Sequence, residues 1–201
     1  MTQRYPDGTV RALLETDHVS GATRDALRQR LARPTVTHPA FFDQTEFETL
    51  HAVCDRLIPQ PDRTIPIDIA GEIDRRLTSS AGNGWRYDEL PEDGTMYQLL
   101  LRGLNNLALE RWTLPFAQVN EASQDEILAN VQRGDVEGGV WNEIAAARGF
   151  EEVLAEAAEV FYAHPLAQEE IGYVGMADLP AWSAIGLDER EAREPAAVTL
   201  P

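Results

Sequence analysis

The stretch PAFFDQTEFETLHAVCDRLIPQP constrains the fold more than any other part of the chain. Asp43 is a natural N-cap, and Glu46 falls at the third helical position, so the two form a capping box. Phe42 before the cap and Phe47 at the fourth position form a hydrophobic staple. Phe47, Leu50, Cys54 and Leu57 then recur on one face at helical spacing. Pro59 and Pro61 stop the helix. A strand cannot satisfy this pattern, because every signal in it is spaced by three or four residues rather than two.

The same grammar recurs downstream. Ile69, Ile73 and Leu77 stand at steps of four. Thr95 and Gln98 read as a second capping box, with Leu100, Leu104, Leu107 and Ala108 behind it. Ser123 and Glu126 read as a third, followed by Ile127, Leu128 and Val131, with Gly134 as C-terminal cap. A helical pair is expected over about 140–163. Trp141, Ile144 and Ala145 line its first piece, Val153, Leu154, Ala157 and Phe161 its second, and Gly149 lies between them. Near the N-terminus, ATRDALRQRLA is a short helix with Leu27 and Leu31 inward. Residues 78–94 read as a loop. Ile65, Ile67 and Ile69 alternate beside Pro66, too briefly for a strand. The fold class is all-α: an irregular helical domain over 1–201, with a lead-in (1–38), a helical body (39–164) and a long non-helical C-terminal arm (165–201).

Charge and composition remove whole classes of function. The 201 residues carry 34 acidic and 17 basic side chains, a net charge of −17. That balance disfavours a nucleic-acid backbone and an anionic membrane surface, and favours a protein partner with a basic face. There is no lysine, so every basic residue is an arginine. Cys54 is the single cysteine, which rules out an intrachain disulfide and an iron–sulfur cluster held by this chain alone. No run approaches the roughly 20 apolar residues of a membrane span. MTQRYPDGTV lacks the apolar stretch of a signal peptide, so the expected location is cytoplasmic, unless a signal-bearing partner carries the chain out.

Candidate chemistry is sparse. His51, Cys54 and Asp55 fall at i, i+3 and i+4, a spacing that could present metal ligands. Cys54 is on the apolar face, however, and reads as a small core residue. His164 precedes Pro165 and reads as the last turn of a helix, with no orienting partner for base catalysis. Glu151–Glu152 and Glu169–Glu170 are neighbours on a helix and point apart. No phosphate loop, dinucleotide fingerprint, zinc motif or nucleophile elbow is present. The residues give no catalytic, cofactor-binding or metal site. The tail VFYAHPLAQEEIGYVGMADLPAWSAIGL is apolar and glycine-bearing, and has no helical period after Ile171. It covers either the chain's own core or a partner. As a partner interface its side chains would be Phe161, Tyr162, His164, Tyr173, Met176 and Trp182.

The stretches FFDQTEFETLHAVCDRLIPQ, IPIDIAGEIDRRL, GWRYDELPEDGTMYQLLLRGLNNL, FAQVNEASQDEILANVQRG and FYAHPLAQEEIGYVG, taken in order, resemble the gluconate 2-dehydrogenase subunit 3 family. DHVSGATRDALRQRLARP resembles the lead-in of one branch. The resemblance implies a non-catalytic small subunit that assembles with and stabilises a large flavoprotein of the glucose–methanol–choline type. FAD would sit in that partner and none in this chain. Such complexes oxidise hydroxyl groups of sugars, sugar acids or glycosides, and some hand electrons to a cytochrome. Two departures stand out. The twin-arginine signal of many members is missing, since Arg75–Arg76 falls inside a helix. Leu166 and Gln168 stand where tryptophans are common, and VGMADLPAW replaces a Gly-Pro-rich end. The rival readings are a stand-alone helical scaffold or binding protein and, further off, a self-contained enzyme using His51 or His164.

Overall fold

The computed structural model describes residues 8–79, 88–175, 178 and 189. Eight α-helices account for most of them: α1 (Thr9–Leu13), α2 (Gly21–Ala32), α3 (Gln44–Leu57), α4 (Ile69–Thr78), α5 (Asp93–Trp112), α6 (Glu121–Arg133), α7 (Ala146–Tyr162) and α8 (Pro165–Ile171). No strand occurs among the described residues, so the all-α expectation holds. The chain packs as two compact units, Thr35–Phe161 and Met1–Pro34 with Tyr162–Pro201.

In the first unit α5 is the central helix. Met96, Tyr97, Leu99, Leu100, Leu101, Gly103 and Leu104 are all buried, too many neighbours for a one-sided amphipathic helix. α3 and α6 pack against it. The capping box of α3 forms as expected: Asp43 accepts from the Glu46 amide at 2.8 Å and Glu46 accepts from the Asp43 amide at 3.2 Å. Phe42 and Phe47 are both buried, as a staple requires. α4 carries two carboxylates that pin the chain entering α3. Asp68 accepts from the Val36 and Gly71 amides. Asp74, 1% exposed, accepts from Ala40, Phe41 and Phe42. Gly103 sits where the Trp141 ring and Val140 lie against α5. A Cβ there would come within 2.4 Å of the Trp141 ring and 2.8 Å of Val140. Gly103→Ala is therefore expected to destabilise. The roughly 1 kcal/mol gained in helix propensity is outweighed by overpacking that costs about 1–3 kcal/mol. A thermal melt at or above that of the parent protein would show that the ring yields freely.

Three boundaries differ from the sequence reading, each for a local reason. α5 starts at Asp93 with Glu92 as N-cap and no side-chain cap bond, so Thr95 and Gln98 are interior and form no box. Pro91 leaves the helix free to begin directly after it, and Asp93 complements the helix dipole. α6 is capped by Asn120, which accepts from the Ser123 amide at 3.0 Å, so Ser123 is inside the first turn. The expected helical pair is one 3₁₀ turn (Gly139–Asn142) and one long helix, α7, with Gly149 inside it. Gly134 does close α6, with φ 74 in the left-handed region that glycine adopts without strain.

The second unit contains α1, α2 and α8, with α8 packed against both others. Val10, Leu13, Leu14, Val19, Leu27 and Val174 form its apolar cluster, with Leu31 partly buried against it. His164 is not in a last helical turn. α7 ends at Tyr162, and His164 caps α8, its Nδ1 accepting from the Leu166 amide at 3.3 Å. Pro165, read as a helix stop, is the first residue of α8, where its missing N–H is no loss.

Candidate functional site

The metal-like triplet on α3 does not converge. His51 and Asp55 pair on the outer face, Nδ1 to Oδ2 at 3.1 Å, both about half exposed. The hydrogen bond to Asp55 raises the His51 pKa against some loss from burial. Cys54, one turn on, lies on the buried side of the helix, 3% exposed, and burial pushes its thiol far above the ordinary range. A thiol that stays protonated is a poor nucleophile and a poor ligand. Among the described residues no group of three His, Cys, Asp or Glu side chains is placed to hold a metal.

The most polar buried constellation was not foreseen. Glu156 on α7 receives Arg76 Nε at 2.5 Å and Nη2 at 2.7 Å from α4, and the Tyr97 hydroxyl at 2.6 Å from α5. Arg76 Nη1 also reaches Asp93 at 2.8 Å. Burial works against the Arg76 charge, but the hydrogen bond and charge of Glu156 and the hydrogen bond of Asp93 more than offset it, so the guanidinium is held protonated. Burial and then the Glu156 charge push the Tyr97 phenol well up. A shallow indentation opens over this group, between Leu90, Met96 and Glu152. Its acid and base are already paired with each other, so it offers neither a free proton acceptor nor an anion site.

The six side chains expected at a partner interface divide sharply. Tyr162 and Tyr173 are each 49% exposed. Phe161 is 7% exposed, with the Arg63 guanidinium 5.6 Å from its ring centroid, and so faces the interior. His164 is spent as a cap. Met176 and Trp182 lie outside the described residues. Ile171, passed over in the sequence, is 50% exposed and joins the two tyrosines within 162–173. Its position just before Gly172, which ends α8 in the left-handed conformation, was the available signal. The Tyr173 ring lies on the Gly175 backbone, where a Cβ would come within 2.3 Å of it. The same segment holds Asp178, which accepts from Ser20 and Thr23 and is thereby held at a pKa of about 2. The bonds from the Ser20 hydroxyl and amide are the main causes, followed by Thr23. A depressed carboxylate gives stability above its unfolded pKa and loses it as pH falls through the folded one. Protection of the first turn of α2 should therefore fall between about pH 4 and pH 2. In Asp178→Asn it should be lower at neutral pH and flat across that window. Amide exchange followed against pH reads both.

Comparison against protein families matches residues 44–185 to gluconate 2-dehydrogenase subunit 3. The chain belongs to this family. Searches among curated proteins and among solved structures returned no match. The gluconate 2-dehydrogenase subunit 3 match begins at the first residue of α3 and takes in every helix through α8. α1 and α2 lie outside it. Among the described residues no helix is long and apolar enough to cross a membrane.

Proposed function

We propose that this chain is the non-catalytic small subunit of an oxidoreductase complex. It would assemble with and stabilise a large FAD-dependent partner of the glucose–methanol–choline type, acting on hydroxyl groups of sugars, sugar acids or glycosides. The family match over residues 44–185 carries the reading. Two features of the chain support it. Three buried carboxylates are engaged in holding the fold together: Glu156 with Arg76 and Tyr97, Asp74 with three amides, Glu169 with Arg11. Its half-exposed Tyr162 and Tyr173 are of a residue type enriched among interface anchors, and Ile171 is half exposed as well. FAD would belong to the partner, as would the catalytic base, and in some complexes a cytochrome would take the electrons.

The test is to recover the tagged chain from its source cells. A yellow flavoprotein larger than this chain should co-purify with it. A colourless eluate without a large partner would favour the stand-alone scaffold. Within a recovered complex, Tyr162→Ala and Tyr173→Ala should each weaken assembly by about 2 kcal/mol, the usual threshold for an anchor residue. The free subunit should melt nearly as before. Loss of stability in the free subunit with unchanged affinity would place those rings on the chain's own surface instead.

A further inference from the structure

The first N-terminal helix lacks what it needs to stand alone. α1 has five residues, glycine at its N-cap, no side-chain cap bond and no acid in its first turn. A helix of that length does not persist by itself, because its nucleation cost is never recovered. The missing cap comes from the other end of the chain. Glu169 on α8, 3% exposed, accepts from the Gly8 amide at 2.8 Å and the Arg11 amide at 3.0 Å. It also accepts from Arg11 Nε at 3.0 Å and Nη2 at 3.1 Å. Asp178 reinforces the start of α2, where the Ser20 hydroxyl already accepts from the Thr23 amide at 3.4 Å. The Asp178 carboxylate accepts from the Ser20 amide at 2.5 Å, the Ser20 hydroxyl at 2.6 Å and the Thr23 hydroxyl at 2.9 Å. Ser20 is the N-cap residue of α2. Two carboxylates from one C-terminal segment thus sit on the N-termini of both N-terminal helices, where the helix dipole favours negative charge.

Within the N-terminal residues, Arg24 on α2 donates to the Leu14, Thr16 and Val19 carbonyls, and the C-terminal segment adds to these ties. Val174, from the same C-terminal segment, completes an apolar cluster otherwise built from residues 10–27. Two buried polar atoms, Gln168 Oε1 and His18 Nδ1, have no protein partner here. Such atoms make the closed arrangement costlier, and moving them into water recovers that cost. The Arg30 guanidinium reaches the Ala163 carbonyl at 2.9 Å, a further tie between the two ends of the chain.

We propose that α8, with Val174 and Asp178 beyond it, is a latch for the N-terminal helices. α1 and α2 keep their fold only while Glu169 and Asp178 are seated on them. A partner that draws this segment onto its own surface releases residues 8–34. The coupling is reciprocal, as any linkage between two sites must be: loosening the N-terminal helices loosens α8. It rests on this chain's own hydrogen bonds and stands whether or not the partner is a flavoprotein.

Amide hydrogen exchange on the full chain tests it. In Glu169→Gln the amides of residues 8–13 should exchange on the order of tenfold faster or more, since hydrogen bonds to a charged group are lost. In Asp178→Asn the effect should fall on residues 20–24. The double variant should bring 8–32 close to unstructured rates, while α3, α4, α5 and α6 keep their protection. Val10→Ala, which touches neither carboxylate, should raise exchange across α8. The latch is overturned if the double variant leaves 8–32 protected, or if α3 to α6 lose protection in step with it, since that would be general destabilisation. It is overturned as well if Val10→Ala leaves α8 unmoved.

Discussion

Asp74→Ala is expected to cost about 3 kcal/mol or more, because each of the three buried amides it serves loses its acceptor at about 1–3 kcal/mol apiece. Some relaxation will return water to part of the site, which keeps the total near the lower end of the sum. In a chain of this size that loss corresponds to a fall in Tm of roughly 6–12 °C. Asp74 is a strict case because it is 1% exposed and has no ion-pair partner among the described residues. Its charge is held by backbone dipoles from Ala40 to Phe42 alone. Asp74→Asn retains an acceptor oxygen but turns an NH2 towards donors, so it should fall between the parent and the alanine variant. Asp68→Ala removes two acceptances, from Val36 and Gly71, at a partly buried site and should cost less than Asp74→Ala. Urea unfolding gives the ranking directly. If Asp74→Ala unfolds at the parent midpoint, the 40–42 stretch is not held by this carboxylate.

Asp74 also marks where the sequence stops being readable. Phe42, Asp43, Glu46 and Phe47 announce α3 because every partner in that cap lies within five residues. Gly134 announces the end of α6 for the same reason. Asp74 serves amides more than 30 residues upstream, and Glu169 serves amides about 160 residues upstream. Neither pairing has a local signature. Glu169–Glu170 therefore read only as two neighbours that point apart, although Glu169 is 3% exposed. The same limit explains the candidate site. The tyrosines of 162–173 were visible as aromatic residues in an aperiodic tail, but which of them point outward depends on α8. That helix is seven residues long, too short for a hydrophobic period to reveal it, and its entry signal, His-Pro, read as an exit. Phe161 fell on the wrong side of that boundary: it closes the inner face of α7, with Val153 and Ala157.

The second large effect is expected at Glu156. Glu156→Ala leaves the buried Tyr97 hydroxyl without its acceptor, while Arg76 stays paired with Asp93 at 2.8 Å. Breaking one partner out of a buried ion pair costs about 3–5 kcal/mol, since the charge left behind is uncompensated. Arg76 is 19% exposed on its side chain and keeps Asp93, which places the expectation at the lower end, about 3 kcal/mol. Replacing the whole group by apolar residues of similar size, as in Arg76→Met with Tyr97→Phe and Glu156→Leu, should recover much of that loss, because the desolvation of the pair disappears with it. A triple variant as unstable as Glu156→Ala would mean that the network specifies the packing of α4, α5 and α7 rather than merely satisfying its own charges. The same residues separate the structural from the catalytic reading of this subunit. In an assembled complex that still melts as one body, Glu156→Gln should lower yield and leave turnover per complex nearly intact. If turnover instead fell by orders of magnitude while assembly and melting held, Arg76, Tyr97 and Glu156 would be acting on the reaction, and the chemistry would lie in this chain rather than in its partner.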